Sequence, residues 1–412
     1  MKVLHLITDE NGGAGRAALR INDALNQSGI ESKVLFIYGD KLRDDLVQYI
    51  PLFKNVVKLK IYEKINLHHV NRFAPKTYFS AEKYGISLKD IPEVKKADVI
   101  HIHWINKGIW SDRFAKELIL LQKPVVWTLH DMWAYTGGCH YNGECERYVK
   151  GCGNCEGLAN RCQKDISREL VAKKLHYYKQ MNLCFIGCSE WITNEAKKSY
   201  IVRKLGIRCE CIPNTIDTNL FTVHNRSACK KILNIQTDKK VILFGAMTST
   251  TDRRKGYHLL KEAISHLDRD EYALAIFGNS SLDDDMKKYE IIDFGQVNDD
   301  VHLSLIYNIA DVFVAPSIQE NLANTVMESL SCGTPVVAFR VGGMPDMIHH
   351  KKNGYLAECF DTDDLCEGIR YLCKGEENGI KRDVIHEMVE NDYHGRKISR
   401  QYAKIYEEVK QK

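Results

Sequence analysis

Nine apolar runs of four to six residues punctuate this chain, at 3–7, 33–37, 99–103, 125–129 and 184–188, then at 241–245, 272–277, 312–315 and 335–339. Enough sequence for a crossover helix follows most of them, as at 16–28 after the first run and 324–332 before the last. Strands that are apolar throughout, rather than alternating, are buried on both faces, and crossovers of helix length make neighbouring strands parallel. The pattern therefore predicts an α/β fold of parallel sheets covered by helices. A chain of 412 residues is too long for one hydrophobic core, so two such domains are expected. The turn-rich stretch Ile212-Pro213-Asn214-Thr215-Ile216-Asp217, followed by a fresh buried run at 241, puts the junction within 214–238. A last helical pattern at 398–409 brings Tyr402, Ile405, Tyr406 and Val409 onto one face.

Charge divides at the same junction. Residues 1–215 hold 33 Lys and Arg against 23 Asp and Glu, a balance of +10, while 216–412 hold 25 against 31, a balance of −6. The formal net charge of +4 hides a basic half and an acidic half. An excess of positive charge in one half suits an anionic partner such as a membrane surface, a nucleic acid or a charged glycan, and solvated lysine faces are the plain alternative. The apolar start at 3–7 is short and soon meets Asp9 and Glu10, so it reads as a buried strand rather than an export signal. No stretch approaches the ~20 apolar residues that a membrane-spanning helix needs. The expected location is the cytoplasm, where the 14 cysteines stay largely reduced.

The densest cluster of candidate chemistry is 317–337, in which Glu320 follows a strand, Glu328 lies eight residues on within a helix, and Gly333-Thr334-Pro335 leads to another strand. Eight residues is about 2.2 helical turns, so both carboxylates can meet one crevice. Carboxylates accept hydrogen bonds from vicinal hydroxyls, and the amides opening the helix suit phosphate. Two surface glutamates flanking a helix are the alternative for so short a pattern. Upstream, Arg253, Arg254 and Lys255 precede Gly256 on a loop after the strand at 241–245. Near the N-terminus, Asn11-Gly12-Gly13-Ala14-Gly15-Arg16 links a strand to a helix, where glycines allow close backbone approach and the helix amides favour an anion. This is not G-x-G-x-x-G, and no clear acidic residue ends the second strand, which argues against a dinucleotide site. His130 with Asp131, and His103 with Trp104, end two strands of the first half, where a doubly wound sheet points side chains into its crevice.

Taken with Val341-Gly342-Gly343-Met344-Pro345-Asp346 and Lys352-Asn353-Gly354-Tyr355, the 317–337 block resembles the retaining glycosyltransferases of family 4, and the likeness runs over nearly the whole chain. The resemblance implies a GT-B fold, two facing Rossmann-like domains, with a nucleotide-sugar donor bound mainly by the second and the acceptor by the first. Residues 1–215 are then the acceptor-side domain, with a Cys-rich insertion at 136–165; 216–392 are the donor domain; and 393–412 form a helix that can pack back on the first. It further implies that Glu320 lies against the donor sugar, that Glu328 holds the nucleotide ribose, and that Lys255 belongs to a diphosphate clamp. Ala246 stands where the family places an arginine, leaving the second positive charge to Arg253 or Arg254. Asn321, Leu322 and Ala323 replace the usual Gly-Phe-Gly but keep backbone amides for sugar or phosphate. Gly12, Gly13 and Arg16 become donor or acceptor contacts, His130 matches a histidine close to the donor sugar, and His103 lines the acceptor side. Catalysis in this family needs no metal or other cofactor.

Two features lie outside the resemblance. Cys139, Cys145, Cys152 and Cys155, with Cys162 or His140 as substitutes, have the spacing of a tetrahedral structural zinc site, while reduced core thiols or a redox pair fit the same residues. Residues 52–73 interleave apolar side chains with Lys54, Lys58, Lys60, Lys64 and Arg72 against Glu63 alone, a pattern for an anionic membrane surface or an ordinary surface helix. No nucleic-acid-binding motif accompanies the charge. The expected activity is transfer of a hexose-type sugar from a nucleotide diphosphate sugar to a glycan or lipid-linked acceptor, with anomeric retention, in cell-surface polysaccharide biosynthesis at the inner face of the cytoplasmic membrane. The rivals are a nucleotide-sugar epimerase of the same fold and a non-catalytic binding protein organised around the cysteines.

Overall fold

A computed structural model describes residues 1–39, 43–49, 79–82, 84–245, 252–278 and 282–411. The basic stretch 52–73 and Ala246 lie outside these. The chain divides into two compact units, Met1–Thr215 with Gly395–Lys412, and Ile216–His394.

The first unit is built on a seven-stranded parallel sheet: β1 (Lys2–Leu6), β2 (Glu31–Phe36), β3 (Leu46–Gln48), β4 (Val99–Ile102), β5 (Val125–Leu129), β6 (Leu183–Gly187) and β7 (Arg208–Cys211), in the order β3-β2-β1-β4-β5-β6-β7. The second holds a six-stranded parallel sheet of β8 (Lys240–Gly245), β9 (Tyr272–Phe277), β10 (Glu290–Asp293), β11 (Val312–Ala315), β12 (Val336–Phe339) and β13 (Gly354–Ala357), in the order β10-β9-β8-β11-β12-β13. Both are doubly wound, with the strand order reversing between β1 and β4 and between β8 and β11. A crevice opens beyond the strand C-termini at each reversal.

Every apolar run of the sequence became an inner strand. The four strands it did not mark, β3, β7, β10 and β13, are the four sheet edges. Edge strands pair on one side only, so they tolerate polar residues such as those of Arg-Cys-Glu-Cys in β7 and Glu-Ile-Ile-Asp in β10. β13 is buried but starts at Gly354, where an added Cβ would stand 2.3 Å from the Val336 carbonyl oxygen.

The Gly395–Lys410 helix closes the first unit. Its buried stripe of Ile398, Tyr402, Ile405, Tyr406 and Val409 packs with Ile21 and Leu25 of the Gly13–Gln27 helix over Val3, Val99, Val126, Cys184 and Ile186 of the sheet. The two tyrosines also carry polar tips into this core, and these meet partners there: Tyr402 reaches Thr128 at 3.0 Å and Tyr406 reaches His101 at 2.7 Å.

Candidate functional site

In the second unit the chemistry gathers where β8 and β11 end. Asp252 accepts the Arg254 backbone N–H at 2.9 Å and starts a single 3-10 turn, Arg253–Lys255. Gly256 ends that turn at φ +72°, and an added Cβ would lie 1.8 Å from the Pro316 carbonyl oxygen, so the basic loop rests on the chain leaving β11. The Ile318 N–H donates to the Arg254 carbonyl at 2.8 Å and stitches the two loops together. Lys255 Nζ is thereby brought 2.5 Å from Glu320 Oε2, and Arg254 Nη1 3.4 Å from the same oxygen. Arg254 is oriented from behind by Asp252 Oδ2 at 3.1 Å, whereas Arg253 is exposed.

Glu320 is only 7% exposed. Its backbone is clamped: the Gly343 N–H donates to its carbonyl at 3.1 Å, and Gly342, at φ +53°, leaves no room for a Cβ against that same oxygen. Burial pushes its carboxyl upward, but the Lys255 and Arg254 charges and the Lys255 hydrogen bond outweigh this and hold it at about 2. Glu320 is therefore a carboxylate at neutral pH, a hydrogen-bond acceptor and not an acid. Lys255 and Glu320 line a cleft together with Gly245, Tyr257, Ser317 and Thr325.

Glu328 sits differently. It is 2% exposed within the Asn324–Ser331 helix, and its Oε2 accepts from the buried Tyr307 hydroxyl at 3.1 Å. The helix opens at Ala323 with no side chain capping it and no acidic residue in its first turn. Asn321, Leu322 and Ala323 are buried, and the Asn321 N–H faces Glu320 Oε1 at 3.3 Å.

In the first unit, Gly12 caps and Gly13 begins the Gly13–Gln27 helix, which follows β1. Space around Gly12 is open, whereas an added Cβ at Gly15 would come within 2.4 Å of the Asp9 and Glu10 carbonyls; the glycine that packing demands is Gly15. Arg16 lies half-buried in the first turn.

His103 and His130 are brought together at the ends of β4 and β5, with His103 Nδ1 2.9 Å from His130 Nε2. They border a small cavity with Trp104, Trp127, Asp131 and Trp133. Burial pushes His130 down to about 4 despite Asp131 beside it, so its imidazole is neutral. Asp131 points elsewhere, its Oδ2 accepting from Trp104 Nε1 at 2.9 Å and lying 2.6 Å from His140 Nδ1. Sequence reasoning did not single out His5 or His101. The signal was His101-Ile102-His103, since strand alternation puts residues two apart on one face.

The cysteine loop departs from expectation. The sulfurs of a tetrahedral zinc site stand within about 4 Å of one another, given zinc–sulfur bonds of about 2.3 Å. Among the described residues, the only group of three potential ligand side chains with ligand atoms all within 4.8 Å is His5, His101 and His103. Cys139, Cys145, Cys152 and Cys155 are not gathered in that way. The Cys139 thiol instead donates to Cys155, lowering that thiol to about 7 against the effect of burial, while burial pushes Cys152 up to about 12. His140 is no substitute ligand, because its second nitrogen is 2.9 Å from Ser80 Oγ. The loop is tied by Asp165, whose Oδ2 accepts the Cys155 N–H at 2.7 Å while its Oδ1 caps the Ile166–Tyr178 helix.

The family model for glycosyltransferase family 4 matches residues 11–220, and that for glycosyl transferases group 1 matches residues 225–391. Over 370 residues the chain is 33% identical to the N-acetyl-alpha-D-glucosaminyl L-malate synthase of Bacillus anthracis, covering 85% of this chain and 86% of that one. It is 27% identical over 338 residues to WcaC of Escherichia coli K12, named for colanic acid biosynthesis, covering 79% and 80%. Among solved structures, Anabaena Alr3699/HepE in complex with UDP-glucose is similar in fold, with a TM-score of 0.65 at 14% identity over 99% of this chain and all of that one. Two doubly wound parallel sheets, the basic loop paired with Glu320, and these matches together show that the chain belongs to glycosyltransferase family 4, with the GT-B fold.

Proposed function

We propose that this glycosyltransferase moves a hexose-type sugar from a nucleotide diphosphate sugar to a hydroxyl of a glycan or lipid-linked glycan, with retention at the anomeric carbon. The observation that carries this reading is the Arg254–Lys255–Glu320 cluster, of which Lys255 and Glu320 line the second unit's cleft. Breaking the glycosidic bond puts negative charge on the departing diphosphate, and fixed cations in a partly desolvated site stabilise that charge. Lys255 and Arg254 supply them, and the permanently ionised Glu320 accepts hydrogen bonds from sugar hydroxyls while keeping the Lys255 ammonium in place.

Glu328 would take the ribose hydroxyls by turning its carboxylate outward from Tyr307. The uncapped Asn324–Ser331 helix and the amides of Asn321, Leu322 and Ala323 would receive sugar or phosphate oxygens. In the first unit, Gly12, Gly13, Arg16, His103 and His130 would contact donor phosphates, donor sugar and acceptor. No group in the site is an evident base, which suits a retaining transfer in which the leaving phosphate itself takes the acceptor proton.

A role in cell-surface polysaccharide biosynthesis is supported by the relative named for colanic acid biosynthesis, and a UDP-linked donor by the HepE complex with UDP-glucose. Among the described residues no helix is long and apolar enough to cross a membrane, and a cytoplasmic enzyme resting on the inner membrane face through 52–73 is the arrangement we favour. A structural zinc would require Cys145 and Cys152 to draw in on Cys139 and Cys155, and metal analysis of the purified chain tests it. The broader reading is tested by thermal shift against a panel of nucleotide sugars. A donor that raises the unfolding temperature in the native chain, and fails to do so after Lys255→Met, supports it; the absence of any stabilising nucleotide sugar overturns it.

A further inference from the structure

The small cavity at the ends of β4 and β5 has a mixed rim. Of the residues lining it, only Trp104, His130 and Asp131 are partly exposed; the others, Asn106 and Trp133 among them, are buried. A molecule entering from the crevice therefore meets an indole, an imidazole and a carboxylate first.

A tryptophan side chain has a single polar atom, its indole nitrogen. That of Trp104 is committed, since its Nε1–H donates to Asp131 Oδ2 at 2.9 Å. Behind the cavity the residue packs against the cluster of Ile7, Ala18, Val34 and Phe36. What Trp104 offers to the cavity is therefore carbon, an apolar ring surface beside the Asp131 carboxylate.

The ring is also braced. Asp131 Oδ1 accepts the Trp133 N–H at 2.8 Å and its Oδ2 lies 2.6 Å from His140 Nδ1, so the carboxylate that fixes the indole is itself fixed from two sides. His140 comes from the cysteine-rich loop. The Met132 N–H donates to the His140 carbonyl at 2.9 Å, which folds that loop back onto the end of β5. His140 Nε2 is 2.9 Å from Ser80 Oγ, and the Ser80 N–H donates to the Gly138 carbonyl at 2.9 Å. The order Ser80–His140–Asp131 is that of a hydrolytic triad. Ser80 is only 4% exposed, however, and neither it nor His140 lines the cavity, so the hydroxyl is placed to hold the imidazole and not to attack a substrate. A polar chain of this kind must be satisfied at every member, a demand that an indole serving only as packing does not make.

A pyranose ring has the complementary surface, with C–H bonds on its flat face and hydroxyls around its edge. The face stacks on an indole while the edge reaches a neighbouring carboxylate. We propose that Trp104 is a specificity-determining residue that stacks on the C–H face of an acceptor sugar, and that Asp131, held by His140, is its positioning residue. The acceptor assignment rests on the proposed transferase reading; the stacking surface does not.

Proton–nitrogen spectra of the full chain labelled at tryptophan give the Trp104 Nε1–H signal, identified by its loss in Trp104→Phe. The probes are the methyl glycosides of glucose, galactose, mannose and N-acetylglucosamine, with glycerol as a control that carries hydroxyls but no ring face. At least one glycoside is expected to move the Trp104 signal and leave those of Trp110 and Trp127 in place. Its Kd, read by calorimetry, should rise about tenfold in Trp104→Ala and stay within about threefold in Trp104→Phe. Unchanged Trp110 and Trp127 signals in both variants show that the fold is kept. A Trp104 signal moved by no glycoside, or moved as strongly by glycerol, overturns the proposal, as does an equal Kd in the native chain and Trp104→Ala. Asp131→Asn keeps an acceptor for the indole N–H and should preserve its slow solvent exchange, whereas Asp131→Leu should speed that exchange and weaken the glycoside; slow exchange in Asp131→Leu refutes the positioning role. Movement by UDP-glucose but by no glycoside puts the ring on the donor side and overturns the acceptor assignment. If no nucleotide sugar stabilises the chain, the transferase reading fails, and a glycoside-dependent shift of Trp104 still establishes the stacking surface.

Discussion

Replacing Lys255 by methionine leaves the Glu320 carboxylate buried with Arg254 as its nearest cation, 3.4 Å away instead of the 2.5 Å of Lys255. The size of the loss follows from the position of the Glu320 pKa at about 2, against an ordinary value of 4.5. At about 1.4 kcal/mol per pKa unit, that difference corresponds to about 3 kcal/mol of stabilisation. With 9% of the Glu320 side chain and 24% of the Lys255 side chain exposed, solvent screens the pair only partly. Most of the stabilisation belongs to the shorter contact, so Lys255→Met should lower the unfolding free energy at pH 7 by about 2–3 kcal/mol. Because folding depresses the Glu320 pKa, this stabilisation is complete above about pH 4.5 and fades as the pH falls towards 2, and the deficit of the variant should shrink over the same interval.

The assay is a double-mutant cycle with Glu320→Gln, read by denaturant unfolding and by turnover. Stability should return in the double variant, because no charge is left buried. Turnover should not, staying about 10²–10³-fold low because the leaving diphosphate has lost its cation. A coupling energy below about 0.5 kcal/mol would mean that the pair behaves like an exposed one. Turnover that recovered along with stability would refute the catalytic reasoning.

Other consequences are equally open to measurement. His5, His101 and His103 are buried with pKa values below the ordinary 6.5, so the stability that goes with their neutral form is complete above about pH 6.5 and is lost on acidification, and the first unit should lose stability with proton uptake as the pH falls from 7 to 5. Stability of that unit unchanged between pH 7 and 5 would contradict the burial of these imidazoles. Gly256→Ala forces a Cβ onto the Pro316 carbonyl at positive φ and should destabilise the second unit by about 2 kcal/mol while weakening donor binding, measured by calorimetry. Glu328→Ala should raise the donor Kd at least tenfold whereas Tyr307→Phe should change it little, and equal effects of the two would show that Glu328 acts only through the core.

Much of this architecture was legible in the residues because a buried parallel strand announces itself as an unbroken apolar run, and all nine such runs sit inside the sheets. The edges were not legible. β3, β7 and β10 lack that run because one side of an edge strand faces no partner, and β13 is only Gly-Tyr-Leu-Ala. At the site, Lys255 and Glu320 could be singled out by type and spacing, but nothing in the sequence distinguished Arg254 from Arg253. That choice is made by Asp252, which starts the turn and pairs with Arg254. His5 and His101 escaped notice beside His103 and His130 because the four come from β1, β4 and β5, and only the sheet order makes these strands neighbours. The cysteine spacing pointed to a four-thiol site, while the folded loop spends its bonds on Asp165 and on the Cys139–Cys155 pair.

The central claim is sugar transfer with retention, driven by the Lys255–Glu320 site. The most direct test is proton NMR of the product formed from a nucleotide diphosphate sugar that stabilises the chain, with and without an acceptor glycan. The account predicts an acceptor-dependent glycoside with the anomeric configuration of the donor, and its loss in Lys255→Met. Free sugar released equally with and without acceptor, or a glycoside of inverted configuration, would contradict it.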